Sequence, residues 1–252
     1  MDPVTSLAVK AVDNLSEAAT KQAEGFLTTV LLAPLEAFGG LLADKINARR
    51  HANLIIITLG ATERLKNAGV SPRAVPLSII HPAIEAASLE EEPSLQETWA
   101  NMLANAANPR EPNIVLPSFP VILKELTAGH VKFLDALFME TQEKLKSRLH
   151  PYWPKTVAYT FDDLQSLYKD AGLAAAPGSG DEAKEANRRS LSLCMDVLMR
   201  HQLLETSFQI DEVRFEMGGP DLRISYSLTD LAMCFIEACR PPMPSPDKPS
   251  HP

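Results

Sequence analysis

Cysteine is nearly absent: three in 252 residues. An odd, small set of thiols builds no disulfide framework, and a reducing compartment is the default expectation. Positive charge is also short, with 24 Lys+Arg against 32 Asp+Glu and a net charge of −8. That balance speaks against unaided, sequence-blind binding of nucleic acid, which depends on neutralising phosphates. Long apolar runs are missing too. The most apolar window, Phe26–Ala43, is interrupted by Pro34, Glu36 and Gly39-Gly40, whereas a spanning helix wants about 20 mostly apolar residues. The opening Met1-Asp2-Pro3 lacks the cationic start of a secretory signal. What remains, 45% hydrophobic and 22% charged residues, is the composition of an ordinary globular protein. Collagenous, low-complexity and wholly disordered chains are excluded.

Apolar residues at steps of three and four predict helices over most of the chain. Val4 to Leu32 carries one such stripe, and Leu35 to Leu65 continues it with breaks at Gly39-Gly40. Gly69 and Pro72 end that helix, because glycine suits a left-handed cap and proline cannot continue one. Pro76–Ala87 reads as a short helix with Leu77, Ile80 and Ile84 inward. Ser94 and Glu97 have the spacing of a capping box opening a helix Leu95–Asn108 that buries Leu95, Trp99, Met102 and Leu103. The Pro-rich passage that follows has no helical period and reads as a connection.

Beyond it the pattern predicts helices over Val121–Thr141, Asp162–Asp170 (capped by Thr160 or Asp162) and Glu182–Leu204. The period then switches to two. Phe208, Ile210, Val213 and Phe215, the turn Gly218-Gly219-Pro220-Asp221, then Leu222, Ile224 and Tyr226 predict a β-hairpin. Thr229 caps a last helix, Asp230–Arg240, and the tail from Pro241 holds six prolines and reads as disordered. The expected fold class is mostly α: an N-terminal helical domain followed by a winged-helix-like α+β domain with a β-hairpin wing. The expected divisions are 1–108 for the helical domain, 109–120 for the connection, 121–240 for the winged-helix-like domain and 241–252 for the tail.

Chemistry-bearing patterns are few. No two of the six histidines (51, 81, 130, 150, 201 and 251) stand three or four apart. Cys234 and Cys239 lie about 140° apart around a helix axis. Neither set predicts a metal site, and no cofactor is expected. Gly-x-Ser-x-Gly, the phosphate loop and Gly-x-Gly-x-x-Gly are all missing, so no catalytic residue is assigned, and a hydrolase or nuclease is the weakest alternative. In a DNA-reading winged helix the third helix would enter the major groove. The candidates are Arg188, Arg189 and Arg200, with Arg214 and Arg223 on the wing. Between residues 181 and 223, however, six basic side chains face nine acidic ones, a net of −3, which repels phosphate. Lys45, Arg49 and Arg50 after the apolar window Phe26–Ala43 have the order of a contact with anionic lipid; the competing reading packs that window in the protein's own core.

Three blocks carry a resemblance. They are Ala33-Pro34-Leu35-Glu36-Ala37-Phe38-Gly39; Asp44 to Asn53 with Arg49-Arg50-His51-Ala52-Asn53; and the acidic turn Ile84 to Glu92 followed by Leu95-Gln96-Glu97-Thr98-Trp99-Ala100-Asn101-Met102-Leu103-Ala104-Asn105-Ala106. With Phe119 to Leu126 added, residues 25 to 140 resemble the bacterial abortive-infection alpha family. The resemblance implies a cytoplasmic bacterial protein of phage resistance, and it brings no established active site. Trp99 reads as a core anchor worth about 200 Å² of buried aromatic surface. Asn101 and Asn105, one turn apart on the opposite side, read as hydrogen-bond partners for Arg49 or Asn53 in a junction between helices, and Glu91 in the acidic turn is counted with the same structural motif. The expectation is thus a non-catalytic defence protein that binds a protein partner, itself or a membrane surface. A DNA-binding transcriptional regulator is the alternative.

Overall fold

The computed structural model describes residues 21–23, 25, 26, 29, 30, 45–111, 114–147, 157–174, 180–210 and 222–243. The chain is mostly helical with one small antiparallel sheet. It divides into two compact units, Met1–Glu125 with Glu237–Pro252, and Leu126–Ile236.

In the first unit, α1 (Lys45–Ala68), α2 (Leu77–Ala87), α3 (Pro93–Ala107) and α4 (Phe119–Glu125) supply the core. The main pairing is α1 along α3. Every residue of α3 from Thr98 to Ala107 is buried, so this is the central helix, wrapped on all sides. Small side chains permit the close approach. A Cβ at Gly60 would lie 3.1 Å from the Cβ of Ala100 and 2.9 Å from Arg64 Nη1. Gly60→Ala is therefore expected to displace Arg64 and cost about 1–2 kcal/mol, despite the better helix propensity of alanine, and a urea melt checks it. Gly69, at φ 67°, closes α1. Its N–H donates to Lys66 O (3.0 Å) and that of Val70 to Leu65 O (2.9 Å), the paired bonds of a glycine-capped helix end. Phe26 and Val30 are also buried, and the Val30 carbonyl accepts from Val75 N–H at 3.1 Å.

Several local expectations shift. Helix α3 starts two residues early: Glu92 is the N-cap, its carboxylate accepting from Leu95 N–H at 2.9 Å, and Pro93 stands at the first helical position. Ser94 instead donates its hydroxyl to Glu92. Proline pre-sets the backbone there and has no N–H to leave unpaired. On α2 the buried face is Ile79, Ile80, Ala83, Ala86 and Ala87, while Leu77 is 69% exposed. Two overlapping apolar stripes exist in that segment, and spacing alone fits both.

In the second unit, α5 (Ala128–Ser147), α6 (Phe161–Asp170) and α7 (Asp181–Arg200) precede β1 (Leu204–Ile210) and β2 (Leu222–Leu228). The last helix, α8 (Asp230–Ala238), starts in this unit and ends in the first. The single helix expected over Val121–Thr141 is split at Leu126-Thr127, because Thr127 caps α5. Neither glycine nor proline marks the break. Likewise α7 stops at Arg200, four residues short of the expected end. Gln202 takes the left-handed conformation at φ 57°, and its N–H and that of Leu203 close on Met199 O and Leu198 O. A glutamine there gives no sequence signal, since glycine is the usual residue.

The core of this unit includes Phe133, Leu134, Leu137, Leu164, Leu191, Met195 and Leu198. Phe133 meets Tyr168 edge to face at 5.3 Å. Thr160 and Asp163 form a reciprocal cap on α6, and the Thr160 backbone and hydroxyl bonds hold the Asp163 carboxyl below the usual range. Strands β1 and β2 pair Leu204 with Leu228 and Phe208 with Ile224. Tyr159 bridges β2 through two 2.8 Å bonds with Tyr226. The apolar alternation does not all point inward. Leu204 and Leu228 are buried at the root, whereas Phe208 is 64% and Ile224 45% exposed further out. On the opposite face Ser225 and Ser227 are buried, bonded to Ser207 and Glu205. Val213, Phe215, the Gly218–Asp221 turn and the tail from Pro244 lie outside the described residues.

Candidate functional site

The two polar blocks singled out in the first unit come together between α1 and the turn leading into α3. Arg49 reaches Glu91 at 3.0 Å. Arg50 Nε donates to Ser88 Oγ (2.9 Å), and Asn53 Nδ2 donates to the Ser88 carbonyl (3.1 Å). Gln96 Nε2 donates to Glu90 O (2.8 Å) and, more weakly, to Asn53 Oδ1 (3.3 Å). Ser88, buried at the end of α2, closes the set by donating its hydroxyl to Glu85 O (2.8 Å). The Ser94 hydroxyl, followed by the Leu95 N–H, holds the Glu92 carboxyl below the usual range. The Arg49–Glu91 pair itself is half in water and contributes little. The bonds to Ser88 set the angle of the turn, because they reach a hydroxyl and a carbonyl inside the protein.

Asn101 and Asn105 go elsewhere. Asn101 accepts from Arg64 Nε and donates to Cys239 O at 2.9 Å. Asn105, 2% exposed, donates to Ala238 O (2.9 Å) and Arg240 O (2.7 Å). The expected bonds to Arg49 or Asn53 are not made. The two amides, one turn apart on α3, instead satisfy the carbonyls that end α8, which have no partner within their own helix. Trp99 is 1% exposed, on the side of α3 opposite the two amides. Sequence reasoning missed Ser88, Arg50, Gln96 and Arg64. The signal available was a pair of asparagines at i,i+4 in a helical stretch, Trp99 to Ala107, that is otherwise apolar.

The arginines considered as DNA contacts are dispersed. Arg188 stacks over the Phe161 ring at 5.3 Å. Arg189 is exposed in mid-α7, and Arg200 sits in its last turn. Arg223 lies opposite Gln209 in the β-ladder, and Arg214 falls outside the described residues. Lys184 pairs with Asp181 at 3.1 Å in the first turn of α7, where Glu182 adds a second acid.

Burial pushes the Cys194 thiol up to about 12 and the Cys239 thiol up as well, which keeps both protonated. Cys234 is exposed. Among the described residues no three His, Cys, Asp or Glu side chains stand together as metal ligands. Within the same residues no helix is long and apolar enough to cross a membrane. Of the window Phe26–Ala43, Phe26 and Val30 are in the core of the first unit, and residues 27, 28 and 31–43 lie outside the described residues.

A family model described as abortive infection alpha matches residues 53–239, and so runs through both units. No curated protein and no solved structure matches the chain.

Proposed function

The chain belongs to the abortive infection alpha family, and on that premise we propose that it acts in abortive-infection-type defence against bacteriophage by binding a protein partner. The second unit is read as a winged helix: α5, α6 and α7, the hairpin β1–β2, then α8. The observation carrying the binding reading is the outer part of the hairpin, where Phe208 and Ile224 form a cross-strand apolar pair in water. Apolar side chains placed together on an exposed strand pair suit a protein surface. The acidic balance from 181 to 223 argues against phosphate as their neighbour. In the first unit, by contrast, the polar side chains of the family-like blocks are spent on the chain itself, at Ser88 and at the end of α8. Those blocks are read as structural.

Phage plating on bacteria expressing the protein tests the proposal. The parent chain is expected to reduce plaque number, and Phe208→Asp with Ile224→Asp is expected to abolish that reduction. A buried interface pair of this kind is worth about 2 kcal/mol or more of binding, roughly 30-fold in affinity. The thermal melt of the variant should stay near that of the parent, because both side chains are already exposed. Full protection by the double variant would remove the wing as the contact. A parent chain without protection against any phage tested would remove the defence reading. Salt-sensitive DNA binding by the purified protein, lost in Arg188→Glu with Arg189→Glu, would favour the regulator instead.

A further inference from the structure

The start of α5 is capped by an unusual pair. Thr127 Oγ1 accepts from the His130 N–H (3.4 Å), and His130 Nδ1 accepts from the Thr127 N–H (2.9 Å). The arrangement is a capping box with imidazole in the place normally taken by glutamate or glutamine. A carboxylate or an amide oxygen accepts that N–H throughout the neutral range. An imidazole accepts it only while Nδ1 carries no proton.

We propose that the Thr127–His130 box is a proton switch on the first turn of α5, capped while His130 is neutral and uncapped when Nδ1 is protonated. Protonation turns the acceptor into a donor: the Thr127 hydroxyl, 3.1 Å from Nδ1, can accept the new proton, but the Thr127 N–H loses its acceptor. It also sets a positive charge at the positive end of the helix dipole. A second imidazole adds to the effect: the charge of His201, just beyond the end of α7 and next to Arg200, is felt at His130. On its own helix the nearest cation is Lys132, whose ammonium lies against Gly172. The turn after α6 brings Leu173 against Gly129.

Burial first, and His201 second, hold His130 below the ordinary histidine range. The folded state therefore favours the neutral ring. The stability gained is complete above the unfolded value near 6.5 and is lost as pH falls through the lower folded value. The device needs no assumption about phage defence, because it follows from the cap alone.

Nitrogen-15 NMR of the full chain tests it, reading the His130 ring and the Thr127 amide together. At neutral pH the ring should carry its proton on Nε2. As pH falls through the His130 midpoint, Thr127 amide protection, corrected for intrinsic exchange, should drop about tenfold, the equivalent of one lost cap. His130→Glu should keep that protection flat over the same range, and His201→Gln should move the His130 midpoint upward. Protection in the parent that does not change while His130 titrates would overturn the proposal, as would a proton on Nδ1 at neutral pH. Both readings come from the parent protein and stand even if a variant fails to fold.

Discussion

Trp99→Ala is expected to destabilise the protein by about 3–5 kcal/mol. For a chain of this size that is a fall in melting temperature of about 6–20 °C. Trp99 heads the largest fully buried side chains and sits on α3, which is buried along most of its length. Removing the indole from a helix so fully enclosed leaves a cavity. Phage protection should fall along with stability, and Trp99→Phe should recover most of both. A melt that barely moves while protection vanishes would make the tryptophan a contact for a partner and would refute its structural assignment.

Asn105→Ala should cost about 2–4 kcal/mol, a large loss for an amide of modest size. The reason is what the substitution leaves behind. Asn105 donates to two main-chain carbonyls, those of Ala238 and Arg240. Alanine would strand them beside a buried helix, and each buried acceptor without a partner costs about 1–3 kcal/mol. Asn105→Asp should be worse, since an ionised carboxylate would face two carbonyl oxygens. Urea unfolding gives the loss, and hydrogen exchange over residues 238–241 should show where it falls. A loss below about 0.5 kcal/mol would mean that water replaces the amide, and the clamp would then carry no stability.

Helices, the hairpin and many of the caps were legible because they depend on local pattern. Gly69 ended its helix as glycine should, Thr160 capped α6, and the change of period after residue 204 marked the strands. Boundaries without a glycine or proline were not legible. The break at Thr127 depends on a histidine acting as a capping acceptor, and the end of α7 on a glutamine held at positive φ by the bonds around it. The stripe on α2 was ambiguous for a different reason: both of its faces are apolar, and only packing against α3 and α4 selects one.

By itself the sequence determined which segments are helical, where the chain turns extended, the acidity that disfavours phosphate, and the blocks that carry family membership. These depend on side-chain type and near-neighbour spacing, which a linear string preserves. The tertiary structure alone decided what the polar members of those blocks do. Arg50 and Asn53 meet Ser88 across 38 and 35 positions, and Asn105 meets Ala238 across 133. No local period encodes such distances, because a hydrogen bond is chosen by whichever partner folding brings within about 3 Å. The exposure of Phe208 and Ile224 was decided in the same way. Alternation puts both on one face of the hairpin, but whether other parts of the chain cover that face depends on where those parts pack.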